Sequence, residues 1–139
     1  MKILLTGGGT GGHIYPLVAV TQKLSGHQLR YIGPRGPHNS RLAALDVEIK
    51  TIWGAKWRRY WSWQNFVDIP KFFVSIVQAF FYVVFFQPQV AFSKGGTGAL
   101  PVLMACRTLG IPIIIHESDT VPGLTNRITG RWAKKIELA

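Results

Sequence analysis

The chain is poor in cysteine and in acid. One cysteine, Cys106, occurs in 139 residues, so no disulfide can form within the chain, which fits a reducing compartment. Its apolar neighbours mark it as a small packed hydrophobe. No His, Cys, Asp or Glu spacing suits metal ligands, so no metal and no cofactor are expected. The apolar run after Lys2 stops at Leu5, too early for the core of a secretory signal. Six acidic residues stand against 16 basic ones, a formal net charge of +10. Such a surplus calls for an anionic partner: a phosphorylated substrate, an anionic membrane surface or nucleic acid. There is no internal repeat and no low-complexity linker. With 47% apolar residues, the length suffices for one domain with a real core.

What the chain does have is glycine in one telling place. Gly7-Gly8-Gly9-Thr10-Gly11-Gly12-His13 follows the apolar run Ile3-Leu4-Leu5, a buried strand, and precedes Ile14 to Leu24, a helix with Pro16 in its first turn. A strand-to-helix turn of this kind aims backbone N–H groups and the positive end of a helix dipole at one spot, which favours an anion, usually a phosphate. Two familiar phosphate motifs fail here. Gly7, Gly9 and Gly12 have the dinucleotide spacing, yet no acidic residue ends the second strand near Tyr31-Ile32-Gly33 to hold a ribose. A P-loop needs Lys then Ser or Thr after its last glycine, where this chain has His13 and Ile14. Thr10 and His13 remain as polar groups at the mouth of an anion-binding turn.

The rest alternates strand and helix. Strands are expected over 28–32, 47–52, 89–92, 112–115 and 135–138, and helices over 40–45, 69–86, 99–109 and 124–132. Asp68 and Pro70 read as the N-cap and first turn of the long helix, which ends before Pro88. Its polar residues Lys71, Ser75, Gln78 and Tyr82 form one narrow stripe, so apolar surface flanking that stripe should be left facing outward. About 18 residues at 1.5 Å rise approach the thickness of a bilayer core, but crossing it would separate the first three strands from the last three. Before this helix, Trp57, Arg58, Arg59 and Trp61 interleave rings with cations, and with Lys71 they fit an interfacial membrane patch. The alternation predicts an α/β fold, a doubly wound parallel sheet in the order 3-2-1-4-5-6, Rossmann-like. In that order the turn at Gly7–His13 and a second one, Lys94-Gly95-Gly96-Thr97-Gly98, face each other across one crevice, with the loop from His116 opening on the same side.

Three motifs in this order, Gly8 to Pro16, Gly95 to Gly98, and His116-Glu117-Ser118-Asp119 with Pro122 to Asn126, resemble the MurG family. Those are membrane-associated enzymes that transfer GlcNAc from UDP-GlcNAc to the muramoyl-pentapeptide on undecaprenyl diphosphate (lipid I). The resemblance covers the whole chain but only the first, acceptor-side domain, the N-terminal half of a GT-B glycosyltransferase. It implies no cofactor, a peripheral position on the cytoplasmic face of the membrane, and two partners, UDP-GlcNAc and the polyprenyl-diphosphate-linked acceptor. His13 and Glu117 match the positions proposed for catalysis. Thr10, Gly11, Gly12 and Asp119 match donor contacts, and Gly9, Thr10, His13, Gly95, Gly96, Thr97 and Asn126 match the acceptor diphosphate site. Asp119 stands where the family often has asparagine, and Thr97 where an aromatic is common. The C-terminal donor domain is missing from this chain, so donor binding is expected to be feeble and the chain inactive alone, as a fragment or half of a split enzyme. A membrane-anchoring subunit serving another polyprenyl acceptor is the first alternative. A basic nucleic-acid-binding domain is the second, disfavoured because the loops do not resemble base readers.

Overall fold

A computed structural model describes residues 1–54 and 62–138. Its elements are β1 (Lys2–Thr6), α1 (Gly11–Lys23), β2 (Gln28–Pro34), α2 (Asn39–Ala43), β3 (Glu48–Ile52), α3 (Trp63–Phe86), β4 (Val90–Ser93), a 3-10 turn (Thr97–Ala99), α4 (Leu100–Thr108), β5 (Ile113–Glu117), α5 (Leu124–Thr129) and β6 (Lys135–Leu138). The six strands form one parallel sheet in the order β3-β2-β1-β4-β5-β6, as the alternation predicts. Trp57, Arg58, Arg59 and Trp61, the centre of the expected membrane patch, lie outside the described residues.

Alternation along the central strand builds both halves of the core. Ile3 and Leu5 face one way, into a cluster with Ile14, Leu17, Tyr31 and Leu42 beneath α1 and α2. Leu4 faces the other way, with Ile32, Val83, Phe86, Val102, Leu103 and Cys106 beneath α3 and α4. Cys106 is fully buried, and burial pushes its thiol up to about 12, so it packs as an inert hydrophobe.

Two helix starts differ from the sequence reading. α1 begins at Gly11, so Gly11, Gly12 and His13 form its first turn and Pro16 falls in the second. α3 begins at Trp63, capped by Ser62, whose Oγ accepts from the Gln64 N–H at 3.3 Å. Asp68 is therefore not a cap. It sits inside the helix, 4.0 Å from Lys71, and Pro70 forgoes one helical hydrogen bond there.

The apolar surface of α3 faces outward as expected, but the buried face carries most of the polar stripe: Ser75, Gln78 and Tyr82 turn inward while Lys71 stays exposed. Ser75 is fully buried, with its Oγ donating back to the Lys71 carbonyl at 2.8 Å, so the hydroxyl enters the interior already satisfied. The Gln78 side chain accepts from the Trp53 N–H at 2.8 Å, and Tyr82 packs on the core. Small residues at Ser75 and Ala79 let α3 approach closely, while Phe73, Val77, Phe81 and Phe85 are 63%, 55%, 53% and 78% exposed. The helix is long and apolar enough to cross a membrane by length and composition. Yet β1 pairs with β2, which precedes α3, and with β4, which follows it, so the helix lies along the sheet's face.

This inverted packing makes a direct prediction for chemical denaturation. Ser75→Leu should lose about 1–3 kcal/mol through overpacking, whereas Phe73→Ser should stay within about 0.5 kcal/mol of the parent. The opposite ranking would restore the outward polar stripe.

Candidate functional site

The site begins where β1 and β4 end. Thr6 lies beside Ser93 in the parallel register, so both glycine turns leave the sheet at the same height. The Gly8 N–H donates to the Gly95 carbonyl at 2.9 Å and joins them. Such closeness needs glycine. Gly95 and Gly96 both have φ of +89°, and a Cβ on Gly96 would lie 3.0 Å from Gly8 and 3.1 Å from His13 Nε2. Behind the first turn the buried Tyr31 hydroxyl donates to the Gly7 carbonyl at 3.1 Å.

Thr10 occupies the N-cap of α1 but makes no capping bond; its Oγ1 lies 2.7 Å from His13 Nδ1 instead. Thr10 therefore leaves the N–H groups of Gly11 and Gly12, which have no acceptor within the helix, to another partner. A Cβ on Gly12 would meet nothing within 4 Å, so this end of the helix is open. The half-buried imidazole of His13 is held below its ordinary range, first by burial and then by the Lys94 ammonium, with Asp119 and Glu117 opposing. At neutral pH it is uncharged and can accept a proton.

Glu117, buried at the end of β5, spends both carboxylate oxygens on its surroundings. Oε1 accepts from the Asp119 N–H at 2.9 Å and Oε2 from Asn126 Nδ2 at 2.8 Å. Burial raises its pKa, but these two bonds, the Lys94 charge and the Ser118 N–H together bring it below the usual carboxylate range. Asn126 is thereby held against the second turn, with its Oδ1 buried and unpaired and pointing at Gly95.

A cleft of about 1040 Å³ opens from the turns. Gly9, Thr10, His13, Gly96 and Thr97 line it together with Arg35, Trp53 and Lys71, and the Arg35 backbone lies against Gly9. Gly11, Gly12, Gly95, Glu117, Asp119 and Asn126 are not among its lining residues; Asn126, held by Glu117, backs the second turn at Gly95. Arg35 and Lys94 were not singled out in the sequence. Arg35 lay in a segment legible only as a loop, and a buried lysine at a strand end has no signature separating it from an exposed one.

The carboxylate of Glu117 makes acid stability informative. Its folded pKa is depressed, so its contribution is present above its ordinary value of about 4.3 and lost as pH falls through the lower folded value. Glu117→Gln should be less stable than the parent at pH 7 and should flatten the loss of stability on acidification below about pH 4.5. Parallel denaturation curves from pH 3 to 6 check this, and identical slopes would show that the carboxylate is not held as described.

Comparison with known proteins agrees with this geometry. A transferase of Treponema pallidum (strain Nichols) is 41% identical over 138 residues, covering 96% of this chain and 36% of the relative. One from Streptococcus pneumoniae serotype 19F is 41% identical over 140 residues, covering 97% and 40%. Both are named UDP-N-acetylglucosamine--N-acetylmuramyl-(pentapeptide) pyrophosphoryl-undecaprenol N-acetylglucosamine transferase. The crystal structure of Acinetobacter baumannii MurG superposes with a TM-score of 0.82 at 30% identity, covering 99% of this chain and 41% of that one. The chain thus spans somewhat over a third of the length of these relatives. Residues 3–137 match the glycosyltransferase family 28 N-terminal domain, and the chain belongs to that family, as the resemblance to MurG implied.

Proposed function

We propose that this chain is the acceptor-binding, membrane-associating half of an inverting glycosyltransferase that passes GlcNAc from UDP-GlcNAc to the undecaprenyl-diphosphate-linked muramoyl-pentapeptide, lipid I. One observation carries the reading. Two glycine turns are bonded to each other through Gly8 and Gly95, with a neutral histidine between them and open N–H groups beside it. The N–H groups of Gly11 and Gly12 and the dipole of α1 receive a diphosphate, with Gly9, Gly96 and Thr97 as the walls of its seat. His13 takes the proton of the attacking sugar hydroxyl at Nε2, for which its Nδ1–H donates to Thr10 Oγ1. Glu117 acts as a positioning group through Asn126 and the Asp119 backbone, since both of its oxygens are engaged. Exposed Asp119 is left for the donor side, with Thr10, Gly11 and Gly12 nearest the incoming sugar. Most donor contacts then belong to a second domain or a separate subunit, in keeping with the fraction of its relatives that this chain spans.

The acceptor's polyprenyl tail requires a meeting at a bilayer surface, and α3 supports that. Its outward phenylalanines bury area worth about 25 cal/mol per Å², and each cation near anionic lipid adds roughly 1 kcal/mol. Exposed Lys71 lies at the junction of this helix with the cleft. The domain rests on the cytoplasmic face without crossing.

Calorimetric titration with a short prenyl diphosphate tests the site. Gly12→Val should weaken binding at least tenfold, about 1.4 kcal/mol, with the circular dichroism unchanged. His13→Ala should abolish transfer once a donor domain is supplied, and the chain alone should show no turnover. Vesicle co-sedimentation tests the surface. Phe73, Phe81 and Phe85 changed to Ser should release the chain from neutral and anionic vesicles, and Lys71→Glu from anionic ones chiefly. Unchanged affinity in Gly12→Val, or unchanged sedimentation in the triple variant, contradicts the corresponding half of the proposal.

A further inference from the structure

Lys94, whose charge acts on His13 and Glu117, has an unusual setting. It is 5% exposed, the only buried cation among the described residues. No carboxylate oxygen of the described residues lies within ion-pairing distance of its ammonium. Nζ donates to Ser118 Oγ at 2.8 Å, on the loop that follows β5. The Lys94 N–H donates to the Thr6 carbonyl at 3.0 Å, at the end of β1. One residue at the start of the second glycine turn is thus bonded to the end of β1 through its backbone and to the loop after β5 through its side chain. Burying a charge without an opposite charge in contact is costly, and a methionine would fill the same space without that cost. A group retained on such terms calls for a role that needs the charge.

Resting on the function proposed above, we propose that Lys94 is a positioning residue of the transfer site: its buried ammonium ties the loop after β5 to the second glycine turn. The tether acts through Ser118. It holds the segment in which the Asp119 N–H meets Glu117 and Glu117 meets Asn126, so the second turn keeps its shape. The charge acts on the imidazole. Among the described residues, the charged groups acting on His13 are Lys94 from the end of β4, and Glu117 and Asp119 from the end of β5 and the loop after it. Thr10, at the N-cap of its helix, is hydrogen-bonded to its ring. Lys94 opposes the two carboxylates. Without it, His13 would gain a proton more readily, lose its capacity as a base, and meet an incoming diphosphate as an ion pair.

The test is an NMR titration of the four histidines in the 139-residue chain, with and without inorganic pyrophosphate. Lys94→Met should move the His13 midpoint upward and leave His27 and His38 where they are. Ser118→Ala keeps the charge and removes the tether. Its His13 midpoint should stay low, while amide exchange at Asp119 accelerates at least tenfold. Should Lys94→Met fail to fold, Lys94→Gln, which keeps a donor but not the charge, takes its place beside Ser118→Ala: the His13 midpoint must rise in the first and stay low in the second, and the loop must loosen in the second. A His13 midpoint indifferent to Lys94→Met, or a loop indifferent to Ser118→Ala, overturns the proposal. Wild-type chain that ignores pyrophosphate counts instead against the diphosphate site, whatever Lys94 does.

Discussion

Everything at this site depends on β1 being paired on both sides. Because β2 and β4 flank it in parallel, the chain must leave β1, cross α1 to one neighbour, and later return along α3 to the other. Two strand-to-helix turns then stand side by side at one edge of the sheet. The Gly8–Gly95 hydrogen bond is the local expression of that pairing, and it is possible because neither turn carries side chains where they meet. A seat for phosphate, as we propose, would follow from backbone geometry, with few side chains needed. Those present, Thr10 with His13 and Glu117 with Asn126, pair with each other and so fix the walls of a crevice whose floor is main chain.

The same sheet explains the long helix. α3 must pass along the sheet face beside α4, and close passage favours small residues on the contact side. Ser75 and Ala79 meet that demand, and Ser75 satisfies its hydroxyl within its own helix. The large apolar residues are thereby turned outward. Packing geometry has overridden polarity, and what it leaves is an exposed apolar face of phenylalanine and valine on α3, whose Lys71 lines the cleft.

The order of the sheet and the meeting of the turns were legible in the sequence because they rest on short-range signals. An apolar run, a glycine cluster and a capped helix repeat, and right-handed crossovers leave few topologies. Helix boundaries were less legible. Gly11 and Gly12 are poor helix formers in isolation but serve in a first turn, and Asp68 has the chemistry of a cap that Ser62 supplies instead. The exposed apolar surface of α3 was legible, but its polar stripe being turned inward was not, because periodicity shows which residues share a face without showing which way that face points. Lys94 was illegible for a related reason. Its importance comes from what β1 and β5 bring to it, and no local pattern records that.

If the apposed turns, and not the basic surface at large, hold the acceptor's diphosphate, a crystal structure of the chain with a short prenyl diphosphate will show it. Phosphate oxygens should then lie on the N–H groups of Gly11 and Gly12 at about 2.7–3.2 Å, with His13 within hydrogen-bond reach and the prenyl chain running along the cleft towards Lys71 and α3. A diphosphate bound instead among exposed lysines and arginines, with the crevice between the turns left to water, would contradict the proposal.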